Sequence, residues 1–312
     1  MKKLMFKILI FISPVLIGII IMELGLSSID NGYSFKKRNF EKNIRSIQVL
    51  NLGTSHADYG IDPDYFSLKG FNFANVGQPL YYDNKILQKY IDKMDSLKLV
   101  ILPISNFAFG YDMSENQEYW RMYFYKRYYD IDNEGGGGFN LRTISYFALY
   151  GQKESLKCLL KGFKVNFAEG YKTNGCLVEK NDTTSYNLKA ISEAKGKERA
   201  VFVDAGIKTR NYSKNIEYLK SMIEMLRKRN IKVVIITTPV YKTYYDNINR
   251  KNYQDMQDNI RSITQEYGIK YYNYINDSRF SIMDFRDNDH LNPSGAAKFS
   301  KILNDEFIKN IG

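Results

Sequence analysis

The run Leu97-Lys98-Leu99-Val100-Ile101-Leu102 carries apolar residues on both alternations of an extended strand, and Ile231-Lys232-Val233-Val234-Ile235-Ile236 repeats the pattern. Strands apolar on both faces belong to parallel sheets covered on either side by helices; a strand with one wet face would alternate apolar with polar. Outward from these two, residues 47–52 form a β-rich run ending at Gly53, residues 71–75 a weaker one, and residues 269–274 a fifth. Between the strands, apolar residues recur at helical spacing. Ile86, Leu87, Tyr90, Ile91 and Met94 do so over 83–94, and Ile216, Leu219, Ile223 and Leu226 over 213–229. Met256, Ile260, Ile263 and Tyr267 precede Gly268 in the C′ position, and Asn292-Pro293 opens a last helix with Asn as N-cap and Pro at N1. This alternation predicts an α/β fold with a central parallel sheet between two helical layers.

The 312 residues are 44% hydrophobic and 15% aromatic, ample for a large core, which excludes a disordered or fibrous chain. Two cysteines, Cys158 and Cys176, without a C-x-x-C, exclude a zinc finger or a disulfide scaffold; whether the two pair or stay buried and inert is open. The net charge of +11 suggests an acidic partner, an anionic polymer or lipid headgroups. Charge alone also suits nucleic acid, but no zinc finger, RNP motif or basic helical stripe supports it, so no nucleic acid is expected. Neither Walker A nor G-x-G-x-x-G occurs, and no cofactor is expected.

Lys2, Lys3 and Lys7 precede residues 8–26, an apolar run whose only charge is Glu23. Its length as a helix, roughly 28 Å, approaches the thickness of a bilayer core. With no A-x-A after it, the run reads as an uncleaved anchor over residues 1–32, with residues 33–312 forming one domain. The preceding lysines predict a cytoplasmic N-terminus and an extracytoplasmic domain in a single-pass cell-membrane protein. Lys36, Lys37 and Arg38 just beyond the span are expected to be exposed and available to a partner or an anionic polymer. Residues 107–208 interrupt the alternation as a helical insertion. It holds the aromatic run 119–129 and Gly135 to Gly138, and it reads either as plain packing of a helical subdomain or as a lid.

Only two histidines occur, and each lies in a loop that follows a predicted strand: Gly53-Thr54-Ser55-His56 and Asp287-Asn288-Asp289-His290. In a parallel sheet both loops fall on the same C-terminal edge. A serine hydroxyl needs an adjacent base, itself oriented by an acid. His290 fits the base and Asp287 its orienting carboxylate, with Ser55 exposed at the strand tip. His56 follows the serine directly, so its side chain should diverge; its role stays open. Asp287, Asp289 and His290 could instead ligate a cation, but zinc needs a further strong ligand and neither cysteine is near, so no metal is expected.

These blocks resemble the SGNH hydrolase superfamily, over roughly residues 46–107 and 213–308. Gly53-Thr54-Ser55 is similar to its first block, normally Gly-Asp-Ser, with Thr54 replacing the aspartate. Asn75-Val76-Gly77-Gln78 is similar to the glycine block, Asn106 stands in the place of the asparagine block, and Asp287-x-x-His290 resembles the last. The resemblance implies a flavodoxin-like three-layer sandwich, with Ser55 as nucleophile, His290 as base and Asp287 as orienter. It also implies an oxyanion hole from the Ser55 and Gly77 amides with the Asn106 side chain. The anchor and the Gly-x-Ser-His block look like the surface-polymer acylation branch, which includes teichoic-acid D-alanylation and polysaccharide O-acetylation proteins. That likeness implies a membrane-anchored serine acyltransferase or esterase moving an O-acetyl or D-alanyl group on a cell-envelope polysaccharide or teichoic acid. It further implies a multispanning membrane-bound O-acyltransferase as partner. The alternative is a non-catalytic SGNH-like protein that holds an acyl carrier or glycan.

Overall fold

The computed structural model describes residues 2–136, 140–178 and 191–311. Gly137 and Gly138 of the glycine run and residues 179–190 of the expected insertion lie outside the described residues. The chain forms two compact units, Met1–Phe35 with Trp120–Glu169, and Lys36–Tyr119 with Gly170–Gly312.

In chain order the elements begin with helices α1 (Lys2–Ser27) and α2 (Gly32–Asn43), strand β1 (Val49–Asn51), the short helix α3 (Ser55–Gly60), β2 (Gly70–Asn72), α4 (Leu80–Tyr90) and β3 (Leu99–Pro103). The short α5 (Met122–Phe124) and α6 (Leu141–Ile144) lead to α7 (Tyr146–Leu160). There follow α8 (Glu193–Ala205), α9 (Tyr212–Arg227), β4 (Lys232–Thr237), α10 (Lys242–Tyr245), α11 (Arg250–Tyr267), β5 (Lys270–Asn273) and α12 (Pro293–Leu303).

All five strands pair in parallel, in the order β2-β1-β3-β4-β5, as the sequence pattern predicts. Side chains alternate across the sheet. Val49, Leu99, Ile101, Val234 and Ile236 face one layer, where Ala57 of α3, Ile61 just past its end, and Phe299 and Leu303 of α12 complete the core. The other parity, Leu50, Val100 and Ile235, is equally buried, and α9 packs against both α4 and β4. Each such aliphatic side chain contributes about 1.5–3 kcal/mol on burial. Gly268 takes the left-handed conformation (φ 63°) that ends α11, and the Asn292 side chain accepts the Gly295 N–H at 2.9 Å to start α12. β1 and β5 are shorter than their β-rich runs, because β1 gives way to the turn before α3 and β5 is an edge strand with partly exposed side chains.

The order places a topological switch between β1 and β3, where the connection from β1 runs to β2 on one side and that from β3 to β4 on the other, so that the carboxyl ends open a crevice. The loops after β1, β3 and β5 carry the residues of interest to that edge.

Lys36 corrects an expectation. It is fully buried (0% exposed), donating to Asp58 at 2.6 Å and to the Ala74 carbonyl, with its ammonium 5.0 Å from the Tyr171 ring centre. Burial pulls its pKa down and Asp58 opposes this. Asp58 lies on α3, so the pair pins α2 to the helix that begins with Ser55.

In the other unit, α1 carries exposed apolar side chains beyond its N-terminal lysines and is long and apolar enough to cross a membrane. Glu23, the lone charge of the apolar run, accepts hydrogen bonds from the Tyr146 N–H (2.7 Å), the Phe147 N–H (3.3 Å) and the Ser145 hydroxyl, capping the start of α7. Gly25 leaves room for Phe163, whose ring would lie 2.6 Å from any Cβ there. The aromatic run packs inward around Tyr33, with Phe124, Tyr125, Tyr128 and Tyr129 at centroid distances of 5.1, 5.3, 6.5 and 5.6 Å. This is the packing arrangement rather than an open stacking face. Both cysteines are free and buried.

Replacing Asp58 with Ala should strand a buried ammonium and cost about 3–5 kcal/mol. Lys36→Met with Asp58→Leu should cost much less. Urea unfolding of the full chain in detergent, followed by circular dichroism, checks the pair; equal loss in both variants would show packing rather than charge to be responsible.

Candidate active site

Gly53 closes β1 at φ +112°, a conformation open to glycine, and a Cβ there would lie 3.3 Å from the Pro103 carbonyl oxygen. Its N–H donates to Asp83 at 2.9 Å. Thr54 then serves as N-cap residue and Ser55 starts α3. The last-strand loop is built around Asp287, which accepts the backbone N–H groups of Asp289 (3.1 Å) and His290 (2.8 Å). Both loops thus fix their side chains through backbone bonds.

The structure brings Ser55, His290 and Asp287 together. The Ser55 hydroxyl lies 2.8 Å from His290 Nε2, and His290 Nδ1 lies 3.0 Å from each Asp287 oxygen. With carboxylates on Nδ1, that nitrogen carries the hydrogen and Nε2 presents its lone pair to the serine. Ser55 is 7% exposed rather than open at the strand tip, since His290 covers its hydroxyl. Arg286 Nε stands 3.6 Å from Asp287, and its guanidinium stacks over Tyr59, whose ring meets His290 edge-on at 5.3 Å.

Asn106 is buried after β3, and its Oδ1 accepts the Tyr244 hydroxyl at 3.2 Å, leaving Nδ2 as the available donor. Burial raises the Tyr244 pKa, so the hydroxyl keeps its hydrogen. Gly77 adopts φ +67° in the loop after β2.

A second polar array, which sequence patterns do not announce, runs beside the first. His56 diverges from Ser55: its Nδ1 meets the Ser105 hydroxyl at 3.1 Å and its Nε2 meets Asp289 at 3.3 Å. Ser105 also shares a hydrogen bond of 3.1 Å with Thr54. Arg199 Nε donates to the same Asp289 oxygen at 2.8 Å. Helix α8 can present Arg199 there because Gly196 sits against the Thr243 backbone, where a Cβ would be 2.5 Å from the carbonyl oxygen. Asn288, bonded to the Tyr241 N–H and the Thr243 hydroxyl, ties the same α10 region to the histidine loop. His56 beside Ser55 and Asp289 beside His290 are the sequence signals for this array; Arg199 has none.

The two arrays meet at Asp289, whose other oxygen stands 3.4 Å from His290 Nδ1. Burial opposes its ionisation, but His290, His56 and Arg199 hold its carboxyl well below the usual carboxylate range. Burial lowers the His56 pKa against the pull of Asp289, keeping the imidazole neutral. Burial also lowers that of His290, but Asp289 and then Asp287 outweigh it, and the net shift is upward. His56, Asp289 and His290 present ligand atoms within 4.8 Å of one another, a set able in size to hold an ion. However, Asp289 already bears the Arg199 guanidinium, whose fixed positive charge opposes a cation.

A protein-family model matches residues 188–312, less than half of the chain. No curated protein matches. Among solved structures, one from Bacteroides fragilis assigned as an acylhydrolase is 11% identical, covering 89% of this chain and 96% of its own at a TM-score of 0.43. A GDSL-like lipase from Bacteroides thetaiotaomicron is 11% identical, covering 88% and 97% at 0.41. Likeness of that degree bears on neither substrate nor reaction.

His290 should titrate above the ordinary imidazole value of about 6.5. Asp289→Asn should move it down, because a negative charge is lost and Arg199 is left uncompensated. With only two histidines, ring-proton NMR of the full chain against pH, assigned by His56→Gln, reads this directly; an unmoved His290 would show that Asp289 does not act on it.

Proposed function

We propose that this chain is a membrane-anchored SGNH-type serine enzyme of acyl transfer, with Ser55 as nucleophile, His290 as base and Asp287 as its orienting carboxylate. One observation carries the reading: the continuous hydrogen-bonded chain from the Ser55 hydroxyl through His290 to Asp287. Ser55 Oγ attacks the acyl carbon as its proton passes to His290 Nε2. Asp287 and Asp289 stabilise the imidazolium, which the upward shift of His290 favours. The oxyanion accepts from the Ser55 and Gly77 amides and Asn106 Nδ2, the kind of contact that usually contributes most to such catalysis. Collapse breaks the ester C–O bond, and His290 returns the proton to the leaving oxygen. A second hydroxyl then loses its proton to His290 and attacks the acyl carbon, and as the ester bond to Ser55 breaks His290 returns that proton to Ser55 Oγ.

In the finer reading the acceptor is a cell-envelope polysaccharide or teichoic acid outside the membrane, and the acyl group is O-acetyl or D-alanyl. A single anchor has no path for an acyl group across the bilayer, so a multispanning O-acyltransferase delivers it. Transfer to water would make the same site an esterase.

Full-length protein treated with a fluorophosphonate should gain one adduct at Ser55 by mass spectrometry, and Ser55→Ala or His290→Ala should abolish it. Hydrolysis of p-nitrophenyl acetate should fall at least ~10³-fold in either variant, and the double variant should lose little more, since the residues act as a unit. An unlabelled Ser55 in folded protein would point instead to a non-catalytic binding protein. Loss of polymer acylation when the multispanning acyltransferase is deleted would support the partner; unchanged acylation would refute it.

A further inference from the structure

Segment 141–164 combines two features. The first is a set of exposed large apolar side chains: Leu141, Ile144, Phe147, Leu156, Leu159 and Leu160, the last 79% exposed. The second is interleaved positive charge, with Arg142, Lys153, Lys157, Lys161 and Lys164 against a single acid, Glu154. Exposed leucine and phenylalanine among lysines is the composition of an element lying in a membrane interface, with apolar side chains in the acyl boundary and ammonium groups among the phosphates.

The depth of the segment follows from α1. Glu23 caps the start of α7, and Gly25 receives Phe163, so the beginning of α7 and the chain just past its end are both tied to the last turns of α1. Leu26, Ile29 and Cys158 form the shared core there, with Met22, Tyr146 and Tyr150 packed against it. Those turns close the apolar run 8–26, so the tie points stand within about one helical turn, ~5 Å, of where the hydrocarbon ends. The non-helical Gly151 (φ 74°) bends α7, and the exposed Leu156, Leu159 and Leu160 all follow the bend. Leu24 near the end of α1 is itself exposed, and α7, which bears most of these apolar side chains, packs against both α1 and α6.

We infer that residues 141–164 form a second membrane contact, an interfacial element that lies on a bilayer containing anionic lipid beside the outlet of α1. The inference requires α1 to span the bilayer but is independent of the chemistry at Ser55.

The full chain reconstituted in nanodiscs containing phosphatidylglycerol would carry a nitroxide at a single introduced cysteine, in turn Leu156→Cys, Leu160→Cys, Leu16→Cys in α1 and Lys251→Cys in α11 as an aqueous reference. The unsubstituted chain, with its two buried cysteines, supplies the labelling blank. Labels at 156 and 160 should collide several-fold more with oxygen and several-fold less with nickel-EDDA than the label at 251, approaching position 16. Nickel-EDDA collision at 160 equal to that at 251, with position 16 in lipid, would overturn the contact. Shielding from both reagents would also overturn it, assigning the face to a protein. An aqueous position 16 would overturn the anchor and the contact with it. Fluorophosphonate labelling of Ser55 in the same nanodiscs reports the enzymatic reading separately.

Discussion

At Gly53 the chain leaves a buried parallel strand with φ +112°, and two residues later it is helical. The turn survives because Asp83, buried at the start of α4, accepts the Gly53 N–H at 2.9 Å. The same Asp83 oxygen accepts Gln78 Nε2 at 2.6 Å, and Gln78 in turn accepts Asn75 Nδ2 at 2.7 Å. One carboxyl therefore sets both the loop that presents Ser55 and the loop that presents Gly77. Burial dominates its titration, raising the pKa to about 7 against those two hydrogen bonds. The group is held for its geometry at an electrostatic cost, which is expected where local structure serves a site.

Much of this was legible in the sequence because it is local. Doubly apolar strands, periodic helices, the Asn292-Pro293 start and the Gly268 stop each carry their reason within a few residues. Ser55, Asp287 and His290 could be brought together on paper because parallel strands send their following loops to one edge. What was not legible depends on partners far apart in sequence. Lys36 looks like a surface lysine until Asp58 is known to face it, 22 positions on. Arg199 lies in a helix with no strong apolar periodicity, and only the close approach at Gly196 explains how its guanidinium arrives at Asp289, 90 residues later. Glu23 looks anomalous in an apolar run because the α7 amides that satisfy it are more than 120 residues away.

Asp289 shows how such distant contacts alter the chemistry of an apparently simple triad. At 3% exposure, burial works against its ionisation. Arg199 and the two histidines keep it ionised, and its charge then acts on His290 from the side, beside Asp287. Two carboxylates serve one imidazole, but they differ in kind: Asp287 is one-third exposed and organises the loop backbone, whereas Asp289 is enclosed and acts through the field. The basicity of His290 is thereby tied to a helix outside the sheet's strand-tip loops.

The ionised Asp289 also dictates a direction to every hydrogen behind it. As an obligate acceptor it requires His56 Nε2 to donate, so the neutral ring offers a lone pair at Nδ1. Ser105 must then donate to Nδ1, and its oxygen is left to receive the Thr54 hydroxyl. Thr54, Ser105 and His56 thus form a one-way relay whose head needs a donor. An aspartate at position 54, the residue usual in Gly-Asp-Ser blocks, would bring a second acceptor to Ser105, whose only hydrogen is already committed. Position 54 is therefore not free to drift by itself: Thr54, Ser105, His56 and Asp289 should change together in descendants of this chain, or not at all.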